Sequence, residues 1–493
     1  MILLAFVLTA AICLALIALG KTHRQMNAVC IAQALIFAAL ALYIATALPL
    51  PATRFLIGNG QFFIDHFSLF EIFIATALFA LAAVYAGGYV ESLMEAGELE
   101  RSSLRLFYSA FALLLTVLVF AFFSDNLALF WIFAEITTVI SAMLIAILSA
   151  RENIDAAIKY IFVTSVAMLF AFLGLIFLFE VSRSATGEGS LNWTVLMQQA
   201  PGLPAGAMVA VFALVFLGFS AKSGIFPFHT WLPEAHAKAP SAVSAILSGV
   251  LLNVGIYGIL RIFAIVHRTD AAGMAVLFIA VFGIATLAVS AFSLLRQENL
   301  KKLIAFSSIE NMAILLIGIS VATPVAIFFV LLHTLAHSLT KASLFFSAGI
   351  LHRQYKDPLS HSGNDDIHDV FRYQPLAAWG MILGGLAIIG VPFTPVFLSK
   401  IGILLALGNV SAPVLALVLV LLFVAAVALG WFIIRTFGRV VDPGTESALR
   451  EYRTPLVMKI PVVILLAVIV ILGIAFPDAV AGYLSEITTE LKF

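Results

Sequence analysis

Glu135, Lys159, Lys222, Arg261, Glu310, Lys341 and Lys400 are charged side chains inside stretches of this sequence that are otherwise apolar enough to lie in lipid. Glu135 sits midway along LFWIFAEITTVISAMLIA, with no other charge within nine residues on either side. Lys222 ends the apolar run of VFLGFSAKSGIFPFHTWLP, and Lys400 follows two prolines in GVPFTPVFLSKIGILLALG. Lys341 lies in LLHTLAHSLTKASLFFSAG, with His337 four residues and His333 eight residues before it, hence on about the same helical face. Glu310 interrupts FSSIENMAILLIG. A charge at the centre of a membrane helix costs about 3 kcal/mol or more, so it persists only when paired or when it faces water. Arg261 lies near the end of its run and is expected to snorkel to the interface. Buried ion pairs that merely hold helices together could account for any one of the others. A whole set distributed across the spans reads instead as a proton path. Lysine suits that work because burial and an acidic neighbour act on its proton affinity in opposite directions. Histidine titrates near neutral pH and can bridge such sites.

The elements that must position these groups follow from composition. Of 493 residues, 63% are hydrophobic and only 11% charged, far from the usage of a soluble enzyme. A helix that crosses hydrocarbon needs about 20 mostly apolar residues. On that measure the chain is an all-α polytopic membrane protein, one membrane domain over 1–493. It has about fourteen spans: 2–19, 27–48, 66–88, 104–123, 126–148, 156–180, 205–226, 240–265, 273–295, 303–322, 325–350, 374–406, 412–436 and 457–476. The first run lacks a positive leader and a small-residue cleavage site, so it reads as a retained helix. With both termini outside, the inside loops would carry most of the cations, from Lys21, Arg24, Arg101 and Arg105 through Lys356, Arg450 and Lys459. Only Arg54, Arg183, Arg268 and Lys492 would lie outside. Lys plus Arg equals Asp plus Glu at 26 each, which leaves no basic field for a nucleic-acid partner. Cys13 and Cys30 stand singly, and no CxxC, HExxH or GxGxxG element occurs, so neither a metal site nor a cofactor of the chain's own is expected.

Two of the lysine-bearing spans are interrupted. Gly224, Pro227 and Pro233 follow Lys222, and Gly390, Pro392 and Pro395 precede Lys400. Proline removes an amide donor and clashes with the preceding turn, so each helix should break there. Non-helical backbone at membrane depth is tolerated only against protein or a water-filled cavity. The broken spans are the seventh and the twelfth, five apart. That fits two five-helix repeats of inverted topology, 104–265 and 273–436, as in transporters built from inverted repeats.

The run KSGIFPFHTWLPEAHAKAPSAVSAILSG, from Lys222 to Gly249, together with LFWIFAE, AAIKYIF, ENLKKLIAFSSIE and HSLTKASLFFSAG, resembles the antiporter-like subunit family. That family is shared by complex I, Mrp cation/proton antiporters and membrane-bound group 4 hydrogenases. The resemblance covers about residues 60–436. It implies proton translocation along a polar axis at mid-membrane, in a bacterial or archaeal cytoplasmic membrane. It implies other membrane subunits and a peripheral redox arm as partners, so the chain would be the membrane subunit of an oxidoreductase complex. Carried over, Glu135 is the acid of the fifth span and Lys222 its partner on the seventh. Lys341 with His337 takes the position on the eleventh span and Lys400 that on the twelfth; His333 extends the relay, and Lys159 belongs to the same path. Where many relatives carry Lys or His on the eighth span, LLNVGIYGILR places Asn253, which can hold water but cannot store a charge. LLNVGIYGILR, SSIEN and HSLTK resemble most the hydrogenase-type members, of the hydrogenase-4 component F kind; Glu310 in SSIE is a group that complex I members usually lack. The alternative reading is a Mrp-type Na+/H+ antiporter subunit, with no redox reaction and Na+ as second cargo.

Overall fold

In lipid every backbone amide must find its partner within its own segment, which makes each apolar run a helix. The computed structural model describes residues 2–47, 50, 60–148, 150–355, 367–439 and 452–493. Arg54, Lys356 and Arg450, used above for orientation, lie outside the described residues. Thirteen described helices are long and apolar enough to cross a membrane. A further crossing, the twelfth, is made by two short helices, Pro375–Ile389 and Pro395–Gly408. The expected fourteen spans are therefore present in order.

The differences from the sequence reading lie at the ends and at the breaks. The sixth span runs over Arg151–Thr186, 36 residues against the 25 expected. At 1.5 Å per residue it is about 54 Å long, so its charged ends stand clear of a ~30 Å hydrocarbon layer. It stops at Gly187, which takes the left-handed conformation that a side chain resists. The seventh span ends at Lys222, turns, and resumes as Trp231–Lys238. Polar caps start several of the others. Asp65 accepts from Ser68 N ahead of the third span, His66–Glu95, and Asn126 accepts from the first amides of the fifth, Leu127–Ile145. A further helix after the fourteenth span, Asp478–Leu491, lies against the third and eleventh spans. There Glu490 accepts from His66 N at 3.0 Å and meets His66 Nδ1 at 2.7 Å. Burial pushes the Glu490 carboxyl above its ordinary range.

The eighth span, Ser241–Val266, is the axis of the bundle and is buried throughout; the tenth, Leu300–Val321, is nearly so. The first, second and thirteenth bury only about a third or less of theirs and turn apolar side chains outward. Within the eighth span, Leu247–Leu251 forms one π-helical turn, a feature often found at functional sites. Gly255 lets this span press onto the seventh, since a Cβ there would stand 2.1 Å from Ser223 Oγ and 2.5 Å from Phe219 O.

Arg261 does not snorkel. It is buried, its Nη2 bonds Asp65 Oδ1 at 2.9 Å and Tyr257 OH at 2.7 Å, and the rings of Phe63, Phe67, Trp193 and Tyr257 surround its guanidinium. The carboxylate that caps the third span supplies the countercharge at that depth, so the side chain has no need to reach water.

Candidate functional site

Each half of the bundle holds an acid and a lysine where a span breaks, and the two halves hold them differently. In the first half, Lys222 is the last residue of its half-helix and is buried. Its Nζ donates to Ala134 O at 2.9 Å and to Thr138 Oγ1 at 2.6 Å, both on the fifth span. Glu135 lies between those two residues in sequence, yet no ion pair joins it to Lys222 among the described residues. Its Oε2 instead accepts from Ser165 Oγ of the sixth span at 2.8 Å, and its Oε1 has no partner among the described residues.

In the second half the acid and the lysine are joined. Lys400 Nζ meets Glu310 Oε1 at 2.8 Å, with both side chains buried. The same ammonium donates to Ile388 O at 3.0 Å and Ile389 O at 3.4 Å, the free carbonyls that end the first half of the twelfth span. Gly390 ends that half-helix at φ 94°, and the negative end of the helix dipole faces the cation. Glu310 Oε2 accepts from Asn311 Nδ2 at 2.5 Å.

Between these sets lies the eleventh span, Pro324–Tyr355. Lys341 is buried and donates to Ile304 O at 2.8 Å and to Ser307 Oγ at 2.5 Å, both on the tenth span. His333 Nδ1 lies 2.9 Å from Ser399 Oγ, next in sequence to Lys400, while its Nε2 and both ring nitrogens of His337 have no partner among the described residues. The structure thus brings His333, Glu310 and Lys400 into one cluster and places Lys341 a turn beyond His337. Asn253 donates to Glu71 Oε2 at 3.1 Å, Ser338 Oγ at 3.2 Å and Gly249 O at 3.3 Å. Lys159 is the exception. It is exposed on the outer face of the sixth span and makes no ion pair or hydrogen bond among the described residues.

A family model described as NADH:quinone oxidoreductase/Mrp antiporter, TM, matches residues 124–430. The chain belongs to this family. The matched region takes in every residue named in this site except Glu71. Among curated relatives, the chain is 31% identical over 404 residues to the hydrogenase-4 component F homolog of Methylacidiphilum infernorum (isolate V4), covering 80% of this chain and 83% of that one. It is 30% identical over 303 residues to NADH-quinone oxidoreductase subunit M of Rickettsia prowazekii (strain Madrid E), covering 61% of this chain and 59% of the relative. Two solved assemblies share the fold. A chain of the membrane-bound sulfane sulfur reductase, an archaeal respiratory membrane complex, matches with TM-score 0.84 at 21% identity, over 99% of this chain and 96% of that one. A chain of the Mrp complex from Dietzia sp. DQ12-45-1b matches with TM-score 0.81 at 18% identity, over 99% and 97%.

Two buried groups at the site escaped the sequence reading. Glu71, on the third span, carries the signal that marks Glu135, a lone acid in the apolar run HFSLFEIFIATALFA, but it stands so near the start of the run that it passes for an interfacial residue. His236, on the second half of the seventh span, lies against Phe345, one turn beyond Lys341, with ring centroids 4.7 Å apart, and neither nitrogen has a partner among the described residues. Its stretch has the composition of a loop, and only the break in the span brings it inside. A cavity of about 490 Å³ opens where Glu98, Glu152, Lys238, Lys301 and His352 converge.

Proposed function

We propose that the chain is a proton-translocating membrane subunit of a redox-driven, multi-subunit complex of the membrane-bound hydrogenase type, related to NADH:quinone oxidoreductase. The observation that carries this reading is the pair of acid–lysine sets at the two helix breaks, one separated and one joined. A buried lysine whose carboxylate can approach or withdraw is a proton site that conformation can switch. Approach of Glu135 holds a proton on Lys222; withdrawal releases it along the eleventh span, by way of His337, Lys341 and His333, to Lys400. In the second half the joined Glu310–Lys400 pair holds its proton until the carboxylate moves away. The residues 104–265 and 273–436 act in this reading as two inverted repeats, each with its own switch.

The chain sits in a cytoplasmic membrane of a bacterium or archaeon with both termini outside. Protons then enter from inside, through the cavity bordered by Glu98, Glu152 and Lys238. The driving reaction belongs to partner subunits, with a peripheral redox arm beside further membrane subunits. The similarity to the hydrogenase-4 component F homolog, matched over most of both chains, supports this assignment.

The test is proton movement in sealed vesicles carrying the whole complex, wild type against Lys222→Ala, with assembly and electron transfer followed in parallel. An assembled variant that transfers electrons while its proton uptake falls at least tenfold supports the reading. An assembled variant that pumps at the wild-type rate overturns it. Proton exchange driven by a Na+ gradient, with no electron donor added, would assign the chain to the Mrp-type alternative.

A further inference from the structure

The two lysine-bearing halves need a connection, and Asn253, at the place where it should lie, cannot store a charge. The structure surrounds Asn253 with groups from three other spans. On one side, Ser223, the residue after Lys222, donates its hydroxyl to Leu252 O, the residue before Asn253, at 2.8 Å. On the other side, Asn253 Nδ2 reaches Ser338 Oγ, the residue after His337. From the third span, Glu71 brings a carboxylate to the same amide nitrogen. The backbones crowd here as well. A Cβ on Gly249 would stand 2.6 Å from Leu78 Cδ1 and 3.1 Å from Ser338 O, so this glycine, within the π turn, lets the third, eighth and eleventh spans meet.

Glu71 is the unexplained member. It is 2% exposed, its one side-chain partner is the Asn253 amide, and no cation lies within ion-pair distance of it among the described residues. An ionised carboxylate away from water needs a cation or several donors, and a merely structural role would be served by an amide at no such cost. Glu71 itself, unlike Asn253 and Ser338, lies outside the region that the family model matches. We infer that Glu71 is the proton-holding group that links the Lys222 half of the axis to the Lys341 half, aimed by Asn253, which Ser338 holds, in place of a titratable residue on the eighth span.

The inference rests on the proton-translocation reading given above. A proton leaving the Lys222 ammonium neutralises the Glu71 carboxylate; leaving Glu71, it passes to the His337 imidazole or the Lys341 amine, and Glu71 is again a carboxylate. Asn253 carries no proton in this step. It is a positioning residue.

The experiment uses the same vesicles and the whole complex. Glu71→Gln keeps an oxygen that can accept from Asn253 but cannot hold a proton, and proton uptake is expected to fall at least tenfold in an assembled complex. Glu71→Gln with Asn253→Asp returns a carboxyl to the same place on the opposite span and is expected to restore a measurable part of the uptake. Wild-type uptake by assembled Glu71→Gln overturns the inference. If Lys222→Ala abolishes uptake in the same series, the proposed function stands without Glu71; if both variants pump normally, the proton-translocation reading falls as well. Should Glu71→Gln fail to assemble, the double variant decides: assembly regained without uptake makes Glu71 structural and overturns the inference, and assembly regained with uptake supports it.

Discussion

Removing one partner of the Glu310–Lys400 pair should cost more than removing both. The two charges are 2.8 Å apart and buried. With an effective dielectric of about 20, their attraction is about 6 kcal/mol, set against the loss of hydration of both ions. Glu310→Leu leaves the Lys400 ammonium, among the described residues, with only the carbonyls of Ile388 and Ile389. Lys400→Met leaves the Glu310 carboxylate, among the described residues, with only the Asn311 amide. Each single change should therefore destabilise by about 3–5 kcal/mol, the usual cost of stranding a buried charge. The double variant replaces both ions by apolar groups of similar size and should return most of that stability. The assay is heat-induced loss of the assembled complex in detergent, followed by chromatography, with proton uptake measured in vesicles on the same preparations. Stability should recover in the double variant while uptake stays lost, because a site without charges has nothing to switch. A double variant as unstable as the worse single one would refute the packing argument. One that assembles and pumps at the wild-type rate would refute the role given to the pair.

Two further predictions test the frame around the site. Gly255→Ala places a methyl 2.1 Å from Ser223 Oγ and 2.5 Å from Phe219 O, and should lower heat stability by about 1–3 kcal/mol; Gly206→Ala, where nothing lies within 4 Å, should leave it unchanged. His267, just past the eighth span, rests against Phe263 and Phe493 with centroids 5.6 and 5.3 Å away, and burial pushes its imidazole below the ordinary value. Its neutral form is then favoured in the folded chain, so the stability it contributes is present above about pH 6.5 and is lost as pH falls below it. Melting temperatures between pH 7.5 and 5.5 should drop less for His267→Gln than for wild type, and equal drops would rule this histidine out as a source of acid sensitivity.

Much of this molecule is legible locally because lipid penalises errors so heavily. An apolar run of about 20 residues has one conformation open to it, and a proline within such a run must interrupt the backbone ladder. The fourteen crossings, the breaks after Lys222 and before Lys400, and the buried status of Lys222, Lys341, Lys400 and Glu310 all follow from that cost, residue by residue. What a lone charge meets is another matter. Glu310 finds Lys400 from 90 residues away and Asn253 finds Glu71 from 182.

The rotation of each helix about its own axis decided the rest. It left Lys159 exposed on the sixth span, although the sequence grouped it with the path, and it turned Arg261 inward to Asp65 rather than outward to water. It also separated Glu135 from Lys222 while joining Glu310 to Lys400. The sequence determined which residues cannot face lipid unaided, because that cost belongs to one side chain in one solvent. Which partner relieves it is a property of packed helices, and only the tertiary structure sets it.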